Sequence, residues 1–409
     1  MKTSFLFISL FTGIASFSQV QDSVALGAGY MNESYYSLAN GEVANVSNTN
    51  WDLAFDASAF GFTIRMNRKT DLLFLYPGTT ADWATLDTTD HMTWEQYIDG
   101  YDSWEQGALN APAGSAPEDL GWGEYNGITH VTEGTRLFVI KLDDDSYRKL
   151  FIETLASGVY TFKYANIDGT NEVTETITKS DYNDKNFIHY SILNEAIVER
   201  EPASVEWDIV FTNYVKELAP GYFSGVTGAL TNTTYRPLTI AEVNDVPVVE
   251  ADPITANYVS DIEVIGYDWK TFNMGTFSYT IEDSLCYFLK DDADNIWKLV
   301  FTGFVGSSNG KIYFTKEQVT FASIEENKTA PMTAYPVPAN DFVNIRTNGT
   351  VLETILVFNT AGQLVLTQAV SNESGIITMP VNELQNGLYM LQMVSVNHEV
   401  FTQKINVQH

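Results

Sequence analysis

Along this chain, apolar residues recur at alternate positions in short runs, and clusters rich in Gly, Asn, Asp and Pro separate the runs. In Trp51-Asp52-Leu53-Ala54-Phe55 and in Trp207-Asp208-Ile209-Val210-Phe211 the large apolar side chains fall on every second residue. That period places them on one face of an extended strand. The acidic segments 143–145 and 291–294 lie between two strand-like runs, where a hairpin turn is expected. Neither has the spacing or the turn glycine of a calcium loop, so both read as solvated turns. The pattern predicts an all-β protein.

The same signatures appear twice in the same order. Tyr35-Tyr36-Ser37-Leu38, the Trp51 strand, Trp122-Gly123-Glu124-Tyr125 and Lys149-Leu150-Phe151 return as His189-Tyr190-Ser191-Ile192, the Trp207 strand, Trp269-Lys270-Thr271-Phe272 and Lys298-Leu299-Val300-Phe301. The offset is 156 residues at Trp51/Trp207 and 149 at Lys149/Lys298. Two tandem antiparallel domains of β-sandwich or barrel-like form are therefore expected, over 19–180 and 181–322. A linker over 323–332 and a third, smaller module over 333–409 complete the organisation.

That last module contains Tyr335-Pro336-Val337-Pro338-Ala339, Val343-Asn344-Ile345, Val357–Val365, Leu384–Met390 and Lys404-Ile405-Asn406-Val407. β-Branched and aromatic runs between Gly, Asn and Pro read as a small Ig-like sandwich. These motifs resemble, in order and spacing, the type A C-terminal sorting domain of the type IX secretion system of Bacteroidota. The resemblance implies an export address recognised by the translocon and its sortase and removed at the cell surface. Residues 1–18 read as a signal peptide: Lys2, an apolar stretch from Phe5 to Phe17, then small residues before Gln19. No later stretch approaches the ~18 uninterrupted apolar residues of a transmembrane helix. A secreted or outer-surface location, reached through the periplasm, is expected.

Composition bears on partners. Hydrophobic residues make up 44% and aromatics 13%, enough for packed cores. With a net charge of -30, nucleic acid and anionic membranes are disfavoured as partners. The single cysteine, Cys286, lies in an apolar strand-like run and reads as a buried, inert thiol.

The repeated signatures, with Asn40-Gly41-Glu42-Val43 and Ile64-Arg65-Met66-Asn67 in the first copy and the closing Tyr287–Phe301 hairpin in the second, resemble the HmuY-like haem-binding family. The resemblance implies all-β surface proteins, the characterised type holding haem between two axial side chains. Trp269-Lys270-Thr271-Phe272-Asn273-Met274-Gly275 matches the family's second-ligand pattern with Met274 at the ligand position, and a thioether suits haem iron. The first repeat has no ligand side chain there but offers His91 and Met92 in the interval of the first ligand. A haem site built from Met274 with Met92 or His91 would need the two repeats to face each other. His130, alternating with apolar neighbours, reads as a strand-face histidine, and His189, replaced by Tyr35 in the other repeat, as a structural slot.

No nucleophile elbow, zinc-binding helix, P-loop or paired C-x-x-C occurs, so no enzyme is expected. The aromatic tract Trp83, Trp94, Tyr97, Tyr101, Trp104 could stack on a sugar or a porphyrin, or line a core. The sequence thus points to a non-enzymatic, exported binding protein for haem or a related tetrapyrrole. The alternatives are a surface structural or adhesive module that has lost the ligand, and a glycan-binding module.

Overall fold

The computed structural model describes residues 19–319 and 332–409, apart from Arg68, Thr234, Asp292, Asn348, Ala361, Ser374 and 397–399. The signal peptide and most of the expected linker lie outside the described residues. The fold is all-β: strands and short 3-10 turns account for the regular structure, and no described helix is long and apolar enough to cross a membrane. The residues before Phe321 form one compact unit and those from Phe321 onward another.

The first unit has two large hydrophobic cores, and the chain is divided between them in an order the sequence does not announce. In one half, an eight-stranded sheet faces a four-stranded sheet. The smaller sheet runs Ala196–Val198, Phe187–Ser191, Leu53–Asp56, Ile64–Met66. In the other half, a five-stranded sheet faces a second four-stranded sheet, which runs Gly41–Ser47, Asn32–Ser37, Ile209–Ala219, Tyr222–Thr231. The two orders are equivalent: a repeat's opening hairpin always pairs with the Trp-Asp strand of the other repeat. Tyr36 is fully buried in the core of Ile209 and Phe211, while Tyr190 is buried in the core of Leu53 and Phe55.

Hydrogen bonds lock both exchanges in the same way. Asp208 Oδ2 accepts from the backbone N–H of Leu38 at 2.7 Å, and Asp52 Oδ2 accepts from that of Ile192. The Asp208 N–H donates to the Tyr36 carbonyl and the Asp52 N–H to the Tyr190 carbonyl, each at 2.9 Å. The duplication extends to the turns, where Asp145 and Asp294 both hold φ of 60–65° and pair with Lys141 and Lys290. The expected division at 180/181 does not coincide with the partition of the cores. One half is continuous from about Trp51 to Arg200, and the other combines the N-terminal 19–48 with the residues after Ser204.

In Leu53–Asp56 every residue is buried, not alternate ones. Leu53 and Phe55 enter the hydrophobic core, while Ala54 turns to the opposite face. The same holds for Ile209 and Phe211 against Val210. The outer faces of the two small sheets therefore meet each other, and a seam runs between the halves.

The second unit is a sandwich of a three-stranded and a four-stranded antiparallel sheet. Val343, Ile345, Val357, Leu391 and Ile405 are wholly buried between them, as the alternating pattern predicts.

Candidate functional site

The seam is built from equivalent positions of the two repeats. Trp51 and Trp207 stand just before their strands, each covered edge-on by a residue from the first strand of the exchanged hairpin. His189 meets Trp51 at 4.8 Å between ring centroids and 90°, and Tyr35 meets Trp207 at 5.0 Å and 78°. Asn67 donates to the carbonyls of Asn48 and Trp51, as Asn232 does to those of Ser204 and Trp207. The segment 99–108 crosses over the seam: Tyr101 packs on Tyr214 at 4.5 Å, and Trp104 on Trp207 at 6.2 Å.

Between these walls lies a cavity of about 80 Å³ lined from both halves. Its partly exposed lining residues include Lys69, Tyr101, Asn213 and Val215, and the rest of the wall is mostly buried. Its polar content is unusual for a core. Arg200 binds Glu33 at 2.7 Å with both side chains nearly inaccessible, gives Nη2 to the Ser47 carbonyl, and stacks over Trp51 at 5.4 Å. Thr212 Oγ1 donates to the other Glu33 oxygen. Arg65 pairs with buried Asp99 at 3.5 Å and sends its remaining N–H groups to the carbonyls of Gly100 and Trp104, with Tyr101 and Trp104 against the guanidinium. Glu201 accepts from the N–H groups of Asn186 and Phe187.

Burial dominates the electrostatics here. It pushes the Glu201 carboxyl up to about 8, against the pull of its two backbone donors and of Arg200. It raises Asp99 despite Arg65. It drives His189 well below the ordinary imidazole range, and the nearby Arg200 charge adds to that. At neutral pH His189 is therefore uncharged and Glu201 mostly protonated. Buried ion pairs are costly to desolvate, and breaking one leaves an uncompensated charge. Two such pairs around one cavity are more than a core needs for packing alone.

Three polar atoms of lining residues are buried without a hydrogen-bond partner among the described residues: Arg200 Nε, Trp207 Nε1 and Asn186 Oδ1. Buried donors and acceptors are ordinarily paired. Two donors and an acceptor left unpaired on three residues of the lining are therefore a feature to explain.

The positions singled out by sequence lie elsewhere. Met274 sits in the turn of the hairpin Lys270–Asn273/Ser278–Ile281, where Asn273 Oδ1 accepts from the N–H groups of Gly275 and Thr276, and its side chain is 72% exposed. Met92 is equally exposed. His91 packs against Phe74 and Tyr147, with its ring nitrogens on the Thr88 carbonyl and the Tyr147 hydroxyl. None of the three lines the seam cavity. His91 has no free ring nitrogen and both thioethers face solvent, so these side chains do not fit an enclosed axial pair on haem.

His130 is not on a strand face: it stands in a turn with φ 57° and meets the Tyr125 hydroxyl at 2.6 Å. His189 occupies the structural slot opposite Tyr35 and also lines the cavity. The aromatic tract divides. Trp83 and Trp94 pack on Phe151, Tyr76 and His91, whereas Tyr101 and Trp104 reach the seam. Cys286 is buried and its thiol is pushed up by burial. Glu33, Arg200 and Glu201 were not singled out by sequence. Glu33 alternates with Tyr35 and so shares its face, which was the available signal.

Residues 333–408 match the family model of the secretion system C-terminal sorting domain. The chain thus carries a type IX sorting domain that engages the secretion system, and the protein is secreted or displayed at the cell surface. Among curated proteins none matches the chain. Of the solved structures, dimeric latent PorU from Porphyromonas gingivalis aligns over 84% of this chain at 9% identity with a TM-score of 0.15. The alignment spans 31% of that protein's length, and a likeness so weak carries no argument about the fold.

Proposed function

We propose that the unit preceding the sorting domain is a non-enzymatic binding protein that takes a small ligand into the seam cavity outside the cell. The carrying observation is the cavity between the halves, walled by Tyr35, Trp51, Trp104 and Trp207 and bordered by the buried pairs Arg200–Glu33 and Arg65–Asp99. Ligand sites are typically apolar concavities with a few fixed polar groups. The charged side chains Arg200 and Glu33, and Arg65 and Asp99, are engaged with one another, which favours holding a molecule over transforming it. The HmuY-like resemblance supports a capture role in kind, while the placement of Met274, Met92 and His91 does not favour haem.

Native mass spectrometry of the protein recovered from the cell surface tests this, beside an Ala54→Leu variant. Ala54 lines the cavity from a strand whose other face is in the core, so leucine fills the space at a cost of ~1–3 kcal/mol. The expected result is a bound small-molecule mass that is lost in the folded variant. A wild type that carries nothing, and that no compound from a metabolite extract stabilises, would defeat the reading.

A further inference from the structure

We propose that this protein pairs with a second copy of itself through the outer edge of the strand Tyr222–Thr231. Sixteen positions separate Trp51 from Asn67, but 25 separate Trp207 from the equivalent Asn232, so the second repeat carries nine more residues here. They lengthen the hairpin that follows the tryptophan. Leu53–Asp56 and Ile64–Met66 are short, while Ile209–Ala219 and Tyr222–Thr231 run on as a two-stranded ribbon. Asn32–Ser37 pairs with that ribbon only at Ile209–Phe211. The first repeat closes its core without such an extension, so packing does not account for it.

The ribbon's last strand has a bare side. Ala229 and Thr231 send their N–H groups away from the ribbon, to the carbonyls of Gly266 and Ile262, each at 2.9 Å. Antiparallel backbone alternates in direction, so Phe223, Gly225 and Thr227 address that same side. The Thr227 carbonyl receives Lys270 Nζ. Among the described residues no strand pairs with Phe223 or Gly225 there. Such an edge is a template for another strand, and proteins commonly blunt it with charge or proline. The outer strands Val20–Ala25, Gly41–Ser47, Val173–Thr178 and Thr239–Val243 each carry an acidic residue. Tyr222-Phe223-Ser224-Gly225-Val226 has neither charge nor proline, and its two aromatic residues are exposed.

The edge is complementary to itself. With a two-fold axis at Ser224, Phe223 stands opposite the second copy's Gly225, and Gly225 opposite its Phe223. Each pair exchanges two backbone hydrogen bonds. Phe223 and Gly225 share a face, so each ring covers a glycine that has no side chain to pack. The arrangement consumes both edges and leaves none for a third chain. A charged peptide would find no opposite charge on this edge, whereas a second copy meets its own match.

Sedimentation velocity of the full chain over a concentration series reads the mass. We expect a shift from one chain to two, stronger at high salt, which screens the charge of -30 on each copy. Phe223→Pro leaves the ladder within the ribbon intact, because the outward N–H takes no part in it. It removes one bond from each inter-copy pair and should weaken association at least ~10-fold. Ser224→Cys places two thiols at the axis with Cα atoms ~4.5 Å apart, within disulfide reach. Air oxidation should link the copies covalently, since the native thiol of Cys286 is buried. Ser278→Cys, exposed on another hairpin, should not cross-link. If Phe223→Pro disturbs the fold, the cross-link decides. A single-chain mass at every concentration, a dimer indifferent to Phe223→Pro, or a Ser224→Cys yield no higher than that of Ser278→Cys overturns the proposal.

Discussion

Asp71 stands where Arg236 stands in the other half: the 165 residues that separate Asn67 from Asn232 also separate this pair. Each addresses the aspartate that anchors an exchanged hairpin. Arg236 forms an ion pair with Asp208, whereas Asp71 shares a hydrogen bond with Asp52. Two carboxylates in one buried place cannot both ionise cheaply. Burial, and then the Asp52 charge, push Asp71 up to about 9.

The pH consequence follows from the raised value. The folded state keeps a proton on Asp71 that the unfolded chain releases above the ordinary carboxylate range. Its contribution is complete below about pH 4 and is lost as pH rises toward about 9. Asp71→Asn should remove this slope and stabilise the protein by ~1–3 kcal/mol at the alkaline end. Urea melts at pH 5 and pH 9 measure it. An unchanged pH slope in the variant would refute the shared-proton account.

Met274→Ala should leave the response to haemin unchanged, because the side chain is 72% exposed on a hairpin turn. Titration followed by the Soret band is the check. A sharp, saturable shift in the wild type that disappears in the variant would restore Met274 as a ligand.

Much of this architecture was legible and its connectivity was not. Alternation in Trp51–Phe55 and Trp207–Phe211 identified strands, and the acidic runs at 143–145 and 291–294 identified hairpin turns, because both are local properties of the chain. Pairing partners are not local. Tyr36, between Tyr35 and Ser37, carries the same local pattern whether its strand joins the Trp51 strand or the Trp207 strand, so exchange leaves no periodic trace. The cavity was hidden for a related reason: Arg200 and Glu33 are 167 positions apart, and each alone reads as a surface charge. The haem candidates followed a local motif around Met274 whose required partner depends on that same long-range arrangement.

Val343→Asp should abolish export without unfolding the preceding unit. Val343 is wholly buried between the sheets of the sorting domain, and an unpaired buried charge costs several kcal/mol, ~3–5. The hydrophobic cores of the two units share no residue, so the damage stays local. Fractionation should find the variant in the periplasm, with its first unit still melting cooperatively. Surface display at the wild-type level would show that the sorting domain is read as a linear motif and not as a fold.

Fragments distinguish the observed partition from the tandem one. A piece spanning 19–180 follows the repeat boundary, yet it lacks Phe187–Ser191, the strand that pairs with Leu53–Asp56 through registers such as Ile188 opposite Phe55. It would expose Leu53, Phe55, Phe162 and their neighbours where Ile188, Tyr190 and Ile192 now pack. Each such side chain is worth ~1.5–3 kcal/mol on burial, and together they exceed a large part of the stability of an ordinary domain. A piece spanning 49–202 holds both members of that pairing and closes the same core. The expected outcome is a cooperative thermal transition and native near-ultraviolet dichroism for 49–202, and aggregation for 19–180. Mixing 19–180 with 181–322 should recover a folded heterodimer, since each supplies the hairpin the other lacks. Folding of 19–180 alone, as a monomer, would show that its own opening hairpin can fill the place taken by 187–198.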